Sequence, residues 1–162
     1  MTSHDLFTSV ATLLRELTHG AAATGGFVLN KGDAGLLASL EQLSAAEASS
    51  SSHGGATIAA HVAHVSYGLS LMNRWAAGEN PFESADWSAA WRIGPVSDAE
   101  WQRLRRELRA EADRQLQALG TSRELQGVEL NGVLAEVAHV AYHTGAIRQI
   151  QANARGPKHD AA

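Results

Sequence analysis

The sequence predicts an all-α fold, a four-helix bundle, and three observations lead to it. Apolar residues recur at the 3.6-residue period of a helix in several long stretches. No stretch alternates apolar and polar residues with the period of two that a half-buried strand requires. Capping residues and glycine-bearing turns separate the periodic stretches, as they do where antiparallel helices follow one another. The 162 residues are enough for one core without disulfide or metal staples. A single domain is expected over residues 1–154, followed by a flexible tail over 155–162.

Residues 3–18 read as the first helix, with Ser3 as candidate cap and Phe7, Val10, Leu13, Leu14 and Leu17 in its stripe. His19-Gly20 ends it, and 21–31 is a connection in which Phe27-Val28-Leu29 is a turn or hinge docked on the core. Asp33 is placed to cap a second helix over 34–47, with Leu36, Leu37, Leu40 and Leu43 inward. The serine-rich run 48–55 has the composition of a mobile loop. Residues 57–77 form a strong helix candidate with Ile58, Val62, Val65, Leu69 and Met72 inward and Gly78 at its end. The connection 79–97 carries Pro81, Trp87, Trp91 and Pro95, so short extra helical turns are expected there, with the two tryptophans covering one end of the domain. Ser97 and Glu100 make a capping-box pattern that opens a long polar helix to about Leu119, with Trp101, Leu104, Leu108, Ala112, Leu116 and Leu119 inward. The last helix spans 129–154, with Val133, Leu134, Val137, Ala141, Ile147 and Ile150 as its apolar residues. The result is four main helices with a divided or extended first arm.

The composition excludes several functions. A net charge of −4 leaves no electrostatic footprint for nucleic acid or an anionic membrane. With no cysteine there is no disulfide, thiolate ligand, iron–sulfur cluster or cysteine nucleophile, so any metal site must be built from nitrogen and oxygen. The opening residues lack the basic segment and apolar run of a signal peptide, and no apolar run approaches ~18 residues, so a cytoplasmic location is expected.

Of eight histidines, four fall in pairs on helices. His139 and His143 are four residues apart on the last helix, so their side chains project from one face at successive turns. His61 and His64 form a second pair, three apart on the 57–77 helix, on a face that includes Gly68, Leu71 and Trp75. In a bundle the ligands of a core metal come from facing helices. His64 or His61 with His139 and His143 would give three nitrogens and an open position, the pattern of a catalytic rather than a structural zinc site. Nickel, iron or manganese suits the same ligands. Glu136-Val-Ala-His139 matches one element of a di-iron bundle, but residues 57–78 contain no acid to supply the rest. The metalloprotease His-Glu-x-x-His motif fails as well, since Val140-Ala141-Tyr142 lies between the histidines. Glu136 is then a carboxylate that orients an imidazole, or a surface residue. Arg148 is a surface ion-pair partner or an anion-binding group above the metal. His4, His19, His53 and His159 lie in termini or loops and are expected to be solvated. A histidine pair at this spacing also arises by chance, in which case the imidazoles simply pack in the core.

The segment His139-Val-Ala-Tyr-His143-Thr-Gly145-Ala-Ile147 resembles the last helix of the DinB/YfiT-like superfamily of four-helix metalloproteins. Val62-Ala-His64-Val-Ser-Tyr67, with Asn73-Arg-Trp75 beyond it, is similar to the earlier helix that carries that family's other ligand. The helix order follows the family's from residue 34 to 151. Ala146 stands where the family often has glutamine, and Tyr67 to Leu69 where it commonly has an acid. The resemblance implies a metal site of His64, His139 and His143, holding zinc or nickel, with His61 as a supporting or alternate residue. It implies a small-molecule substrate and an S-transferase activity that uses a low-molecular-weight thiol activated by the metal. A metal-dependent hydrolase and a non-catalytic, stress-related binding bundle are the alternatives. It also implies a homodimer.

Overall fold

The computed structural model describes residues 3–121, 123–125 and 127–157. Among them every regular element is a helix, with α1 (Ser3–His19), α2 (Gly35–Glu41), α3 (Ala45–Ala48), α4 (Ile58–Ala76), α5 (Asp98–Leu119) and α6 (Gly127–Ile150). Two isolated bridges, Ala22 to Gly25 and Ser51 to Thr57, are the extent of β pairing among those residues. No helix there is long and apolar enough to cross a membrane. The four long helices close a ring: α4 packs on α5 and α6, and α1 packs on the same two from the opposite side. The short α2 lies against α1 and α5, and α3 against α4 and α5.

Local chemistry sets the boundaries. Thr57 caps α4, its hydroxyl accepting from the Ala60 amide at 3.1 Å. Ser97 and Glu100 form the expected capping box at the start of α5. The expected 34–47 helix is split, however. It stops at Glu41 and restarts at Ala45, because Ser44 makes a second capping box with Glu47 that terminates one helix and opens another. Leu43 is buried between the two pieces, and its carbonyl accepts a 2.8 Å hydrogen bond from the Trp101 indole. Asp33 accepts from the Gly35 amide at 2.9 Å, as its position before α2 suggested. The cap position itself is Ala34, whose side chain makes no capping bond. Ser3 starts α1, but its side chain, like His159 in the tail, lies outside the described residues.

The core draws on every long helix, with Leu14, Leu17, Leu36, Leu40, Val62, Leu69, Leu108 and Ile147 wholly enclosed. Each such aliphatic side chain contributes roughly 1.5–3 kcal/mol by its burial. The whole predicted α5 stripe is buried. On α6 the inward line differs from the one read in the sequence. Val133, Glu136, Val140, His143, Thr144 and Ile147 are buried, while Leu134 is 48% exposed.

Two buried carboxylates tie the N-terminal segments down. Glu16 accepts the successive amides of Phe27, Val28 and Leu29 at 2.6–2.9 Å, which fixes the 21–31 connection. The hinge is docked through its backbone, and Phe27 and Val28 themselves face outward. Gly20 and Gly35, both with positive φ, let the end of α1 meet the start of α2. A Cβ at Gly20 would lie 2.7 Å from the Asp33 carbonyl oxygen, and one at Gly35 2.8 Å from that of Thr18. Asp33 also forms a bidentate pair with Arg148 of α6 at 2.7 and 2.8 Å. The pair is largely enclosed, so Arg148 is neither a surface ion pair nor an anion receptor. Arg155, expected in the frayed tail, donates to the Arg148 carbonyl at 2.9 Å, and Asn30 donates to the Pro157 carbonyl at 2.9 Å.

Candidate metal centre

The packing of α4 against α6 sets the histidines face to face. His64, His139 and His143 each offer one ring nitrogen to a group whose members lie within 4.8 Å of one another. The ring centroids of His64 are 4.9 Å from those of both partners, and His139 and His143 are 4.6 Å apart. His64 and His143 are buried and His139 is half-buried. Gly68, one turn beyond His64 on the same face, leaves the space that the His139 ring occupies. A Cβ there would stand 2.9 Å from Cε1 of His139.

His61 joins the cluster from one side. Its Nδ1 lies 2.8 Å from Nδ1 of His143, with the ring centroids 5.1 Å apart. Nδ1 of His64 is buried with no hydrogen-bond partner among the described residues, and so is one carboxylate oxygen of Glu136. That oxygen lies 3.9 Å from Nδ1 of His139, beyond hydrogen-bond reach. Glu136 is therefore buried beside His139, and the surface reading of it fails.

The connection after α4 roofs the cluster. It makes the expected short turns, Pro81–Ser84 and Ala89–Arg92. Its tryptophans do not merely cover an end of the domain: Trp91 packs over His64 at 4.3 Å between centroids and 32° between planes. Trp91 also meets His61 and His143, at 5.5 and 5.9 Å. Trp87 lies 5.8 Å from His64 and edge-on to Tyr67, whose hydroxyl accepts from the Asp86 amide at 3.0 Å. Tyr142 stands edge-on to His143 at 4.9 Å and is 71% exposed. Both tryptophans keep about two-fifths of their surface exposed, at 43% and 42%.

This enclosure controls protonation. Burial pushes His64 down to about 4, helped by the neighbouring His139 and His61. Burial likewise takes His143 down to about 3, helped by His139, His61 and His64, and burial lowers His61 as well. At neutral pH these imidazoles are uncharged and carry lone pairs, which suits them to a cation. Three atoms all within 4.8 Å of one another share a point no more than about 2.8 Å from each, against about 2.0–2.1 Å for a zinc–imidazole bond. Binding of an ion would draw the three nitrogens inward by that difference. The partnerless His64 nitrogen and the nitrogen-only donor set fit a divalent ion such as zinc or nickel.

The structure thus brings together His64, His139 and His143, and sets His61 against one of them. Of the histidines expected to be solvated, His4 and His53 are exposed. His19 is held instead by Thr18 at 2.8 Å and Asp113 at 2.9 Å. Sequence reasoning did not foresee that Trp87 and Trp91 lie on the histidines, and nothing local to the tryptophans signals it. Gly68 did leave a signal, because a mid-helix glycine costs about 1 kcal/mol against alanine and often marks a close approach. No family model, curated protein or solved structure matches this chain.

Proposed function

We propose that the chain is a divalent-metal-binding protein of the DinB/YfiT-like kind, and that it acts as a thiol-dependent S-transferase through His64, His139 and His143. The observation that carries the reading is the convergence of three imidazole nitrogens from α4 and α6, two of those rings held neutral by their surroundings. A zinc or nickel ion held there would lower the pKa of a bound thiol or water and so supply a nucleophile near neutral pH. The residues of the chain do the remainder. His64 and His143 would bring lone pairs that protons do not contest at pH 7, and His139 would supply the third nitrogen. Trp91 and Trp87 pack against the His64 ring and shield it from water. With no cysteine in the chain, the sulfur nucleophile comes from a small exogenous thiol.

Zinc-loaded protein, a low-molecular-weight thiol and a small alkylating electrophile provide the test. Conjugation above the uncatalysed rate, abolished by chelation and by His143→Ala, is expected. Zinc-dependent hydrolysis of simple esters with no thiol added, in place of conjugation, would replace the transferase reading with that of a hydrolase.

A further inference from the structure

Among the described residues, His61 is the histidine that stands outside the three-nitrogen group yet touches it directly. We propose that His61 is a positioning residue, which fixes the tautomer of His143 so that Nε2 of His143 faces the ion. The proposal rests on the metal-binding reading above.

Two imidazole nitrogens 2.8 Å apart accommodate one proton between them. Two N–H groups would collide, and two lone pairs would repel. The tautomers of the two rings are therefore linked. When Nδ1 of His143 donates to Nδ1 of His61, Nε2 of His143 carries the lone pair and is free to bind. When His61 donates instead, the proton of neutral His143 sits on Nε2 and blocks it. A cation at Nε2 selects the first arrangement, and the hydrogen bond in return holds the ring in place. Water cannot readily substitute for His61, because the contact is partly enclosed and Trp91 packs edge-on against the His61 ring. The chain places His61 one turn before His64 on α4, so a single helix supplies both a ligand candidate and the support of another. Among the described residues His139 and His64 make no equivalent hydrogen bond: the Glu136 carboxylate stands 3.9 Å from His139 Nδ1, and His64 Nδ1 has no partner.

Competition for zinc with a chromophoric chelator, on the full chain, gives the comparison. His61→Phe, which keeps a ring but no acceptor, is expected to weaken zinc binding by about 10–100-fold. His61→Asn, whose amide oxygen stands in for the Nδ1 acceptor, is expected to stay within about threefold of wild type. Nitrogen-15 spectra of the zinc-loaded wild type are expected to show His143 metallated at Nε2 and protonated at Nδ1. Unchanged affinity in His61→Phe overturns the proposal, as does equal loss in both variants or a zinc-bound nitrogen on His61. If His61→Phe does not fold, His61→Asn and the wild-type spectra decide. A wild type that binds no zinc overturns the metal reading itself, a result distinct from any of these.

Discussion

Gly68 and His139 meet across the α4–α6 contact with no room for a methyl group between them: a Cβ at Gly68 would stand 2.9 Å from Cε1 and 3.2 Å from Nδ1 of the imidazole. The atom in the way belongs to a side chain, so the ring yields before the helices do. Gly68→Ala is therefore expected to leave metal-free stability equal to wild type or higher, since alanine gains up to about 1 kcal/mol in a helix interior. The same substitution is expected to weaken zinc binding by about tenfold, because His139 is displaced from its partners. Thermal melts without metal and zinc titrations of the same samples check both signs. A variant that loses stability and keeps its zinc affinity would contradict the packing argument.

Acid is expected to destabilise the metal-free protein. In the unfolded chain a histidine titrates near 6.5, while folding depresses His64 to about 4 and His143 to about 3 and also lowers His61. Between those values the unfolded chain binds more protons, so stability is full above about pH 6.5, falls as the pH drops toward the folded values, and levels off below them. Denaturant midpoints of apo protein from pH 7 to pH 4 measure the slope, and His143→Gln should make it shallower. An equal slope in that variant would mean other groups set it.

Asp33 and Arg148 form an enclosed pair between α6 and the start of α2. Removing the arginine leaves a buried carboxylate with the Gly35 amide and no counter-charge, at a cost of about 3–5 kcal/mol. Arg148→Met is expected to lose that much in equilibrium denaturation while its zinc affinity stays at the wild-type level. The double substitution Asp33→Asn with Arg148→Met should recover part of the loss. A selective loss of zinc binding in Arg148→Met would show that the arginine serves the cluster.

Trp91 packs over His64 yet is 42% exposed, so its removal should open the cluster without unfolding the bundle. Trp91→Ala is expected to speed transfer of zinc to an external chelator by at least about tenfold, with equilibrium affinity changing by less than about threefold. Stopped-flow chelation gives the rate and a competition titration the affinity. Equal exchange rates would remove the tryptophan from any role over the site.

The helical architecture was legible because burial and helix period coincide in α1, α4 and α5. Phe7, Val10, Leu14 and Leu17 of α1 and every predicted stripe residue of α5 are buried. The last helix was read less well for a physical reason. Its inward line carries Glu136, His143 and Thr144, polar residues that a count of apolar positions passes over. The break at Ser44 was readable, since Ser44 and Glu47 repeat the spacing of Ser97 and Glu100, but the run of leucines up to Leu43 masked it. The histidine triad was within reach of the sequence because helical spacing sets two of its members on one face and the second pair supplies the third. The roof by Trp91, the Glu16 clamp on residues 27–29 and the Asp33–Arg148 pair join positions whose meeting depends on loop paths and on helices distant in sequence. No local pattern encodes those contacts.

The central claim, that His64, His139 and His143 together hold one divalent ion, is tested most directly by metal stoichiometry. Tag-free protein is equilibrated with zinc, freed of unbound ion and analysed by mass spectrometry of the metal, for wild type beside His139→Ala. About one zinc per chain in the wild type, and almost none in the variant, is the result the three-histidine centre predicts. A wild type far below one per chain, or a variant that retains as much zinc as the wild type, would contradict it.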